Sequence, residues 1–315
     1  MWRFVVRRLL VLIPTVFAVT LGVFVLMRTA VGGDPTLYLM GHEATLAQAA
    51  AARARLGLNE PIGVQYVHWL GRIGALDLGR SFDYPIDVRA ALAGRIPATL
   101  ELTALSTLLA LCVAVPVGIF TAVARHTRAG RAVSAATVAG ICVPNFWLGM
   151  LLIYLFSVRL HWMEHSSYVA VGENWRQNLV SMILPAVTLG AWYSAAWAQY
   201  VRSALLDALD GDYIRVARAK GLMERTVVFK HALRNALIPV VTIVGENIPF
   251  MLAGAVIVEV VFSLPGLGRL FSDAIQGRDY PVVQGTVLLL TAVVVLSNLT
   301  VDLTYGVLDP RIKYD

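Results

Sequence analysis

The chain has 315 residues, of which 58% are hydrophobic and only 15% charged, and its mean hydropathy is +0.69. A soluble domain carries about 25% charge, so this composition excludes an ordinary soluble enzyme or binding module. The net charge of +6 and the pI of about 9.5 do not point to nucleic acid, because the basic residues flank apolar runs, the pattern that orients membrane proteins.

A helix needs about 20 apolar residues to cross roughly 30 Å of hydrocarbon. Six runs meet that need, near Leu9–Met27, Thr99–Val123, Val133–Val158, Val180–Tyr200, Leu237–Phe262 and Val282–Tyr305. With their loops they fill the sequence, so an all-α membrane protein with six transmembrane helices is expected, as a single domain over residues 1–315. Cys112 and Cys142 fall inside these runs and are expected to be buried small hydrophobes, with no disulfide framework and no zinc spacing.

Arg3, Arg7 and Arg8 precede the first run, which places the N-terminus in the cytoplasm. The start resembles a signal peptide, but its apolar run exceeds the usual 7–15 residues or so and lacks a small-x-small cleavage site. A retained anchor is expected. Residues 28–97 then form a long extracytoplasmic loop. It holds an Ala-rich helical patch, Thr45–Leu56, ending at Gly57, followed by apolar residues at near-helical spacing. This segment reads either as a cap on the helix ends or as a docking face for something delivered from outside.

The loop between runs two and three carries Arg125, His126, Arg128 and Arg131 with no acid, and Arg311 and Lys313 close the sequence. The predicted topology is N-in and C-in. Pro14, Pro116, Pro144, Pro185 and Pro249 lie within runs, where proline removes a donor and kinks a helix. His161, Glu164 and His165 match the H-x-x-E-H zinc-protease pattern. No other hydrolase feature accompanies them, so the match is read as chance and no metal site is expected.

Residues 202–236 form the most polar inner segment, with Arg202, Arg215, Arg218, Lys220, Arg225, Lys230 and Arg234 against four acids. Tyr213–Lys220 can make two helical turns, and Gly221 is suited to a left-handed helix end. Glu224–Asn235 can make a second helix, with Val227, Val228, Leu233 and Leu237 towards lipid. A folded knob and a basic amphipathic helix on anionic headgroups are equally good readings of these residues alone.

Further on, Glu246 and Asn247 sit mid-run beside Pro249. A carboxylate there costs about 2.5–3.5 kcal/mol on insertion scales, so the two are candidates for a polar pore lining or an interhelical hydrogen bond. Glu259 precedes a turn containing Pro265 and Gly266, with Arg269 after it. A structural pair or gate is expected there. Asp302 is expected to anchor a helix end.

The inner loop, with Arg215-Val216-Ala217 followed by Gly221, resembles the cytoplasmic loop of ABC importer permeases, in which an EAA run precedes glycine. Arg215 stands where the general pattern has glutamate. The wording ARAKGL and HALRNALIP is similar to the peptide-importer branch, where that departure is usual. Gly33–Pro35, Leu56–Gly71, Asp77–Phe82, Gly254–Gly285 and the ending DLTYGVLDPRIKYD also resemble the B-type permease of dipeptide and oligopeptide importers. The resemblance spans nearly the whole chain. It implies a type I ABC importer permease fold in the bacterial cytoplasmic membrane. It further implies that Arg215, Ala217, Arg218, Ala219, Lys220, Gly221, Leu222 and Glu224 belong to a loop that docks into an ATPase. The implied partners are a second, C-type permease, two ATPase subunits or domains carrying ATP and Mg, and an extracytoplasmic substrate-binding protein.

Relatives of this architecture handle dipeptides, longer peptides, glutathione, nickel chelates and haem, so cargo stays open. The sequence has no G-x-x-x-x-G-K-[ST] phosphate loop, and it is expected neither to hydrolyse ATP nor to hold a cofactor. A self-sufficient secondary transporter would show an internal repeat or a broken-helix ion site. A membrane enzyme would show converging acid, base or metal groups. Neither signal is present.

Overall fold

A computed structural model describes residues 14–26, 46–55, 57–83, 85–162 and 168–308. The expectations at Arg3, Arg7, Arg8, Gly33–Pro35, Glu164, His165, Arg311 and Lys313, and at the Asp302 side chain, lie outside the described residues. Among the described residues the chain is helical, with one isolated antiparallel bridge between Arg80 and Asp87.

The helices are α1 (Pro14–Leu26), α2 (Leu46–Arg55), α3 (Ile62–Gly74), α4 (Val88–Val123), α5 (Arg128–Ile141) and α6 (Asn145–Arg159). They continue with α7 (Trp175–Leu209), α8 (Asp212–Ala219), α9 (Glu224–Val261), α10 (Leu267–Gln276) and α11 (Tyr280–Leu308). Four of them, α4, α7, α9 and α11, are long and apolar enough to cross a membrane. At about 1.5 Å per residue, the 36 residues of α4 exceed the roughly 30 Å hydrocarbon core. The described part of the first run, α1, is a shorter apolar helix.

The third run is not one straight span. α5 and α6 meet at 100° across Cys142–Pro144. Pro144 supplies no N–H and pushes the preceding residue out of helical geometry, and α6 restarts with Pro144 as its N-cap. The second half of α6, Ile153–Arg159, is wound as π-helix. Pro185 and Pro249, by contrast, sit inside unbroken helices.

Helix ends follow from local chemistry. Thr127 caps α5 by accepting from the Gly130 N–H at 3.0 Å, and Asn174 caps α7 by accepting from Arg176 and Gln177. α2 ends at Gly57, as the sequence suggested, with φ +65° and the Leu58 N–H on the Arg53 carbonyl. The same six-to-one closure ends α3, α9 and α10 at Leu76, Ser263 and Arg278, all in the left-handed region without being glycine.

Contacts group the chain into two units, one built mainly on Met1–Pro97 and Pro265–Leu299, the other mainly on Ala98–Leu264. In the first, α3 packs on α1 through Phe24, Tyr66 and Trp69, and the Tyr66 hydroxyl hydrogen-bonds Thr20 at 3.0 Å. A second cluster joins Val88 and Leu92 to Leu267 and Leu270 of α10 and to Val282 and Val283 of α11.

In the second unit α7 is central: 56% of its apolar window is buried, against 33% for α4 and α9. Met182, Leu189, Tyr193, Trp197 and Val201 of α7 pack against Leu102, Ala110 and Ala114 of α4 and Val244, Met251 and Val258 of α9. Backbones approach closely at two glycines. A Cβ on Gly190 would lie 2.9 Å from the Ser106 carbonyl oxygen, and one on Gly118 would lie 2.8 Å from that of Ala198. Small residues allow such approach where lipid supplies no hydrophobic drive between helices. Both cysteines are exposed on this chain, correcting the expectation that they are buried. Cys142 is the cap residue at the α5–α6 break, and Cys112 lies on an outward face of α4.

Candidate functional site

The polar segment after α7 folds as a knob, which favours the first of its two sequence readings. α8 is capped by Gly211 and opens with Asp212, whose carboxylate pairs with Arg215 at 3.1 Å. It carries two apolar stripes at i, i+3 spacing. Ile214 and Ala217 face inward and are buried, while Tyr213 and Val216 face outward. The inward stripe packs on Val227, Val228, Ala232 and Ala236 of α9, on Leu205 of α7 and on Ala122 of α4.

That core corrects one expectation. Val227 and Val228 do not face lipid; they are buried under α8. Residues 227–232 are wound as π-helix, whose wider turn shifts side chains relative to an ordinary 3.6-residue pattern. Leu233 and Leu237, also expected to face lipid, are half-buried.

Gly221 makes the corner. Its φ is +78°, its N–H bonds the Arg218 carbonyl at 2.9 Å, and the Leu222 N–H reaches the Ala217 carbonyl at 3.4 Å. These are the two bonds of a Schellman helix end. An ion pair bridges the corner: Arg218 donates to both carboxylate oxygens of Glu224, at 2.6 and 3.1 Å. The hydrogen bonds from Arg218 hold the Glu224 carboxyl below its usual range, and the same bonds raise Arg218. Ala219, Lys220 and Leu222 are exposed around the turn.

The exposed surface of the knob is both basic and apolar. Arg215, Lys220 and Arg225 lie beside Tyr213, Val216, Leu222, Met223 and Phe229, with Met223 75% exposed. Of these apolar groups the sequence points to Leu222 and does not single out Tyr213, Val216, Met223 or Phe229. The second i, i+3 stripe on α8 was the available signal.

The membrane carboxylates are placed differently from one another. Glu246 is exposed on this chain, and Asn247 donates to the Ile243 carbonyl of its own helix at 2.6 Å. Neither makes an interhelical bond among the described residues. Glu259 is 1% exposed and accepts from the Thr99 hydroxyl at 2.6 Å, which ties α9 to α4. Thr99 was not anticipated. Pro265 is half-buried, Gly266 caps α10, and Arg269 lies 3.7 Å from Asp273 one turn on. On the loop before α7, the Tyr168 hydroxyl donates to Glu101 at 3.1 Å. Burial, then the Glu101 charge, pushes that phenol up to about 12. Among the described residues no cluster of His, Cys, Asp and Glu could hold a metal ion.

Comparison with known proteins agrees with this architecture. Residues 114–314 match the family described as binding-protein-dependent transport system inner membrane component, and residues 1–103 match its N-terminal companion. The chain is 38% identical, over all of both chains, to the oligopeptide transport system permease protein AppB of Bacillus subtilis. It is 41% identical, again over all of both chains, to the glutathione transport system permease protein GsiC of Escherichia coli K12. Among solved structures it resembles a chain of the MetNI methionine ABC transporter in its inward-facing form. The TM-score there is 0.58 at 20% identity, covering 70% of this chain and 97% of the other. At that identity the likeness shows the fold alone. The chain belongs to the inner membrane components of binding-protein-dependent transport systems, the multi-pass permeases of ABC importers.

Proposed function

We propose that this permease imports short peptides, driven by ATP hydrolysis on partner chains. The observation that carries the reading is the knob of α8 and the start of α9. It is a packed, Gly-cornered, basic and apolar surface on the side assigned to the cytoplasm by charge. Exposed Met223, Leu222 and Phe229 on a polar loop would be a liability unless a protein covered them.

The partner set is a second permease, two ATPase subunits or domains holding ATP and Mg, and a binding protein at the outer face. This chain has no catalytic role and no cofactor of its own. Nucleotide drives transport only by favouring one conformation of the ATPase pair over the other. The knob is the mechanical link that passes this preference to α7 and α9, against which it packs. The relatives named for oligopeptide and for glutathione, itself a tripeptide, support peptide as the cargo class.

The test is a cysteine at Lys220 in a variant freed of Cys112 and Cys142, expressed with its partner subunits. It is expected to crosslink to the ATPase and to resist an impermeant thiol reagent added outside intact cells. Labelling from outside would overturn the orientation, and with it the role of the loop.

A further inference from the structure

A cavity of about 830 Å³ lies beside the start of α11, walled by α3, by the segment that follows it and by Phe24 of α1. Sites for small ligands span roughly 300–1,000 Å³. The wall residues from Gly57 to Phe82 belong to the segment that the charge pattern places outside the membrane. Two aromatic pairs contribute to the wall: Phe24 with Trp69, ring centroids 5.7 Å apart, and Phe82 with Tyr280, 6.4 Å apart.

Gln284 is the unexpected member of that wall. It stands one turn after Tyr280 on α11 and is 7% exposed. Its side-chain amide makes no hydrogen bond among the described residues. Buried polar side chains are nearly always paired, and an orphan carries the full cost of leaving water. A leucine of similar volume would avoid that cost, so stability does not account for an amide here. An amide both donates and accepts, which suits a peptide group and is only half used by a phosphate.

The charges around the cavity single out one cation. Arg80 pairs with Asp87, His68 Nδ1 lies 3.4 Å from Glu60, and Asp77 accepts from the Gly79 N–H at 2.9 Å. Arg72, in the last turn of α3, is exposed, and its guanidinium has no ion pair among the described residues. A guanidinium fork matches a carboxylate through two parallel hydrogen bonds. One cavity thus offers a partner for a carboxylate, a partner for a peptide group and an aromatic wall for side chains.

We infer that this cavity is a cargo site on the permease itself: it takes a short peptide with a free C-terminus, the carboxylate on Arg72, a backbone amide on Gln284 and an apolar side chain against the aromatic wall. The inference rests on the import reading above and names the part of the cargo that this chain reads.

The experiment uses the assembled transporter in phosphatidylcholine nanodiscs without its binding protein, carrying Cys112→Ser and Cys142→Ser. An environment-sensitive fluorophore on Val67→Cys, at an exposed position of the cavity wall, reports binding. The parent is expected to bind tri-alanine saturably and tri-alanine amide about tenfold more weakly, equivalent to about 1.4 kcal/mol. Arg72→Gln should bind both peptides equally, at the parent's weaker level, and Arg72→Lys should keep part of the preference. Gln284→Leu should weaken both peptides by a similar factor, keep the preference, and melt no earlier than the parent. Equal binding of the two peptides by the parent overturns the inference, as does a preference that survives in Arg72→Gln, or a Gln284→Leu that melts earlier with unchanged affinity. Uptake of tri-alanine into proteoliposomes with the binding protein and ATP is measured alongside. Uptake without any response at Val67→Cys sinks the cavity site alone, whereas a response without ATP-dependent uptake sinks the import reading alone.

Discussion

Replacing Gly221 with valine should uncouple ATP hydrolysis from transport while leaving the protein inserted. A side chain there would meet nothing within 4 Å, so crowding contributes nothing and the cost is the backbone's. An L-residue in the left-handed region pays roughly 1–2 kcal/mol, and a β-branched one more. Relaxing that strain would break the Gly221 and Leu222 hydrogen bonds that end α8 and swing Arg218 away from Glu224. A shift of 1–2 kcal/mol changes the ratio of native to relaxed corner by a factor of about 5–30. The assay is cargo transported per ATP hydrolysed, measured in the same proteoliposomes. The order should be glycine, then asparagine, which tolerates this conformation, then alanine, then valine, with ATP hydrolysis retained throughout. Equal coupling across the series, or asparagine falling as far as valine, would refute the argument.

Other perturbations follow from the same geometry. Arg218→Glu and Glu224→Arg should each weaken coupling and together restore it, although an exposed pair contributes only about 0.2–1 kcal/mol to stability. Because the Glu224 pKa is depressed, the pair is fully present above the usual carboxylate range and is lost as pH falls through its lowered value. Coupling should therefore be flat from pH 8 to pH 5, and a step in that window would count against the pair. Thr99→Val removes a donor from buried Glu259 and should cost about 1.5–3 kcal/mol, read by thermal unfolding in detergent; an unchanged melting temperature would show that the bond is dispensable. Gly190→Ala should force α4 and α7 apart and cost about 1–3 kcal/mol, whereas Gly22→Ala, with open space around it, should cost less than half of that.

Much of the fold was legible because membrane spans announce themselves by uninterrupted apolar length. The corners at Gly57 and Gly221 were legible too, because glycine is the residue that a left-handed helix end favours. The ends at Leu76, Ser263 and Arg278 were not, since nothing in those residues signals that conformation. Pro144 signals a kink, but not its size: the break there is 100°, with α5 and α6 each packed on α7. The π-wound stretches moved Val227 and Val228 from the expected lipid face into the knob's core, a change no 3.6-residue periodicity can anticipate. Thr99 with Glu259, and Ser81 with Asp279, join residues far apart in sequence, and only the folded chain brings them together.

The most direct measurement is uptake of a labelled short peptide into liposomes holding either this permease alone or the assembled transporter with its binding protein. Uptake is expected only in the assembled case, only with ATP on the side of the ATPase subunits, and to be lost when those subunits cannot hydrolyse it. Full-rate uptake by the permease alone would contradict the account.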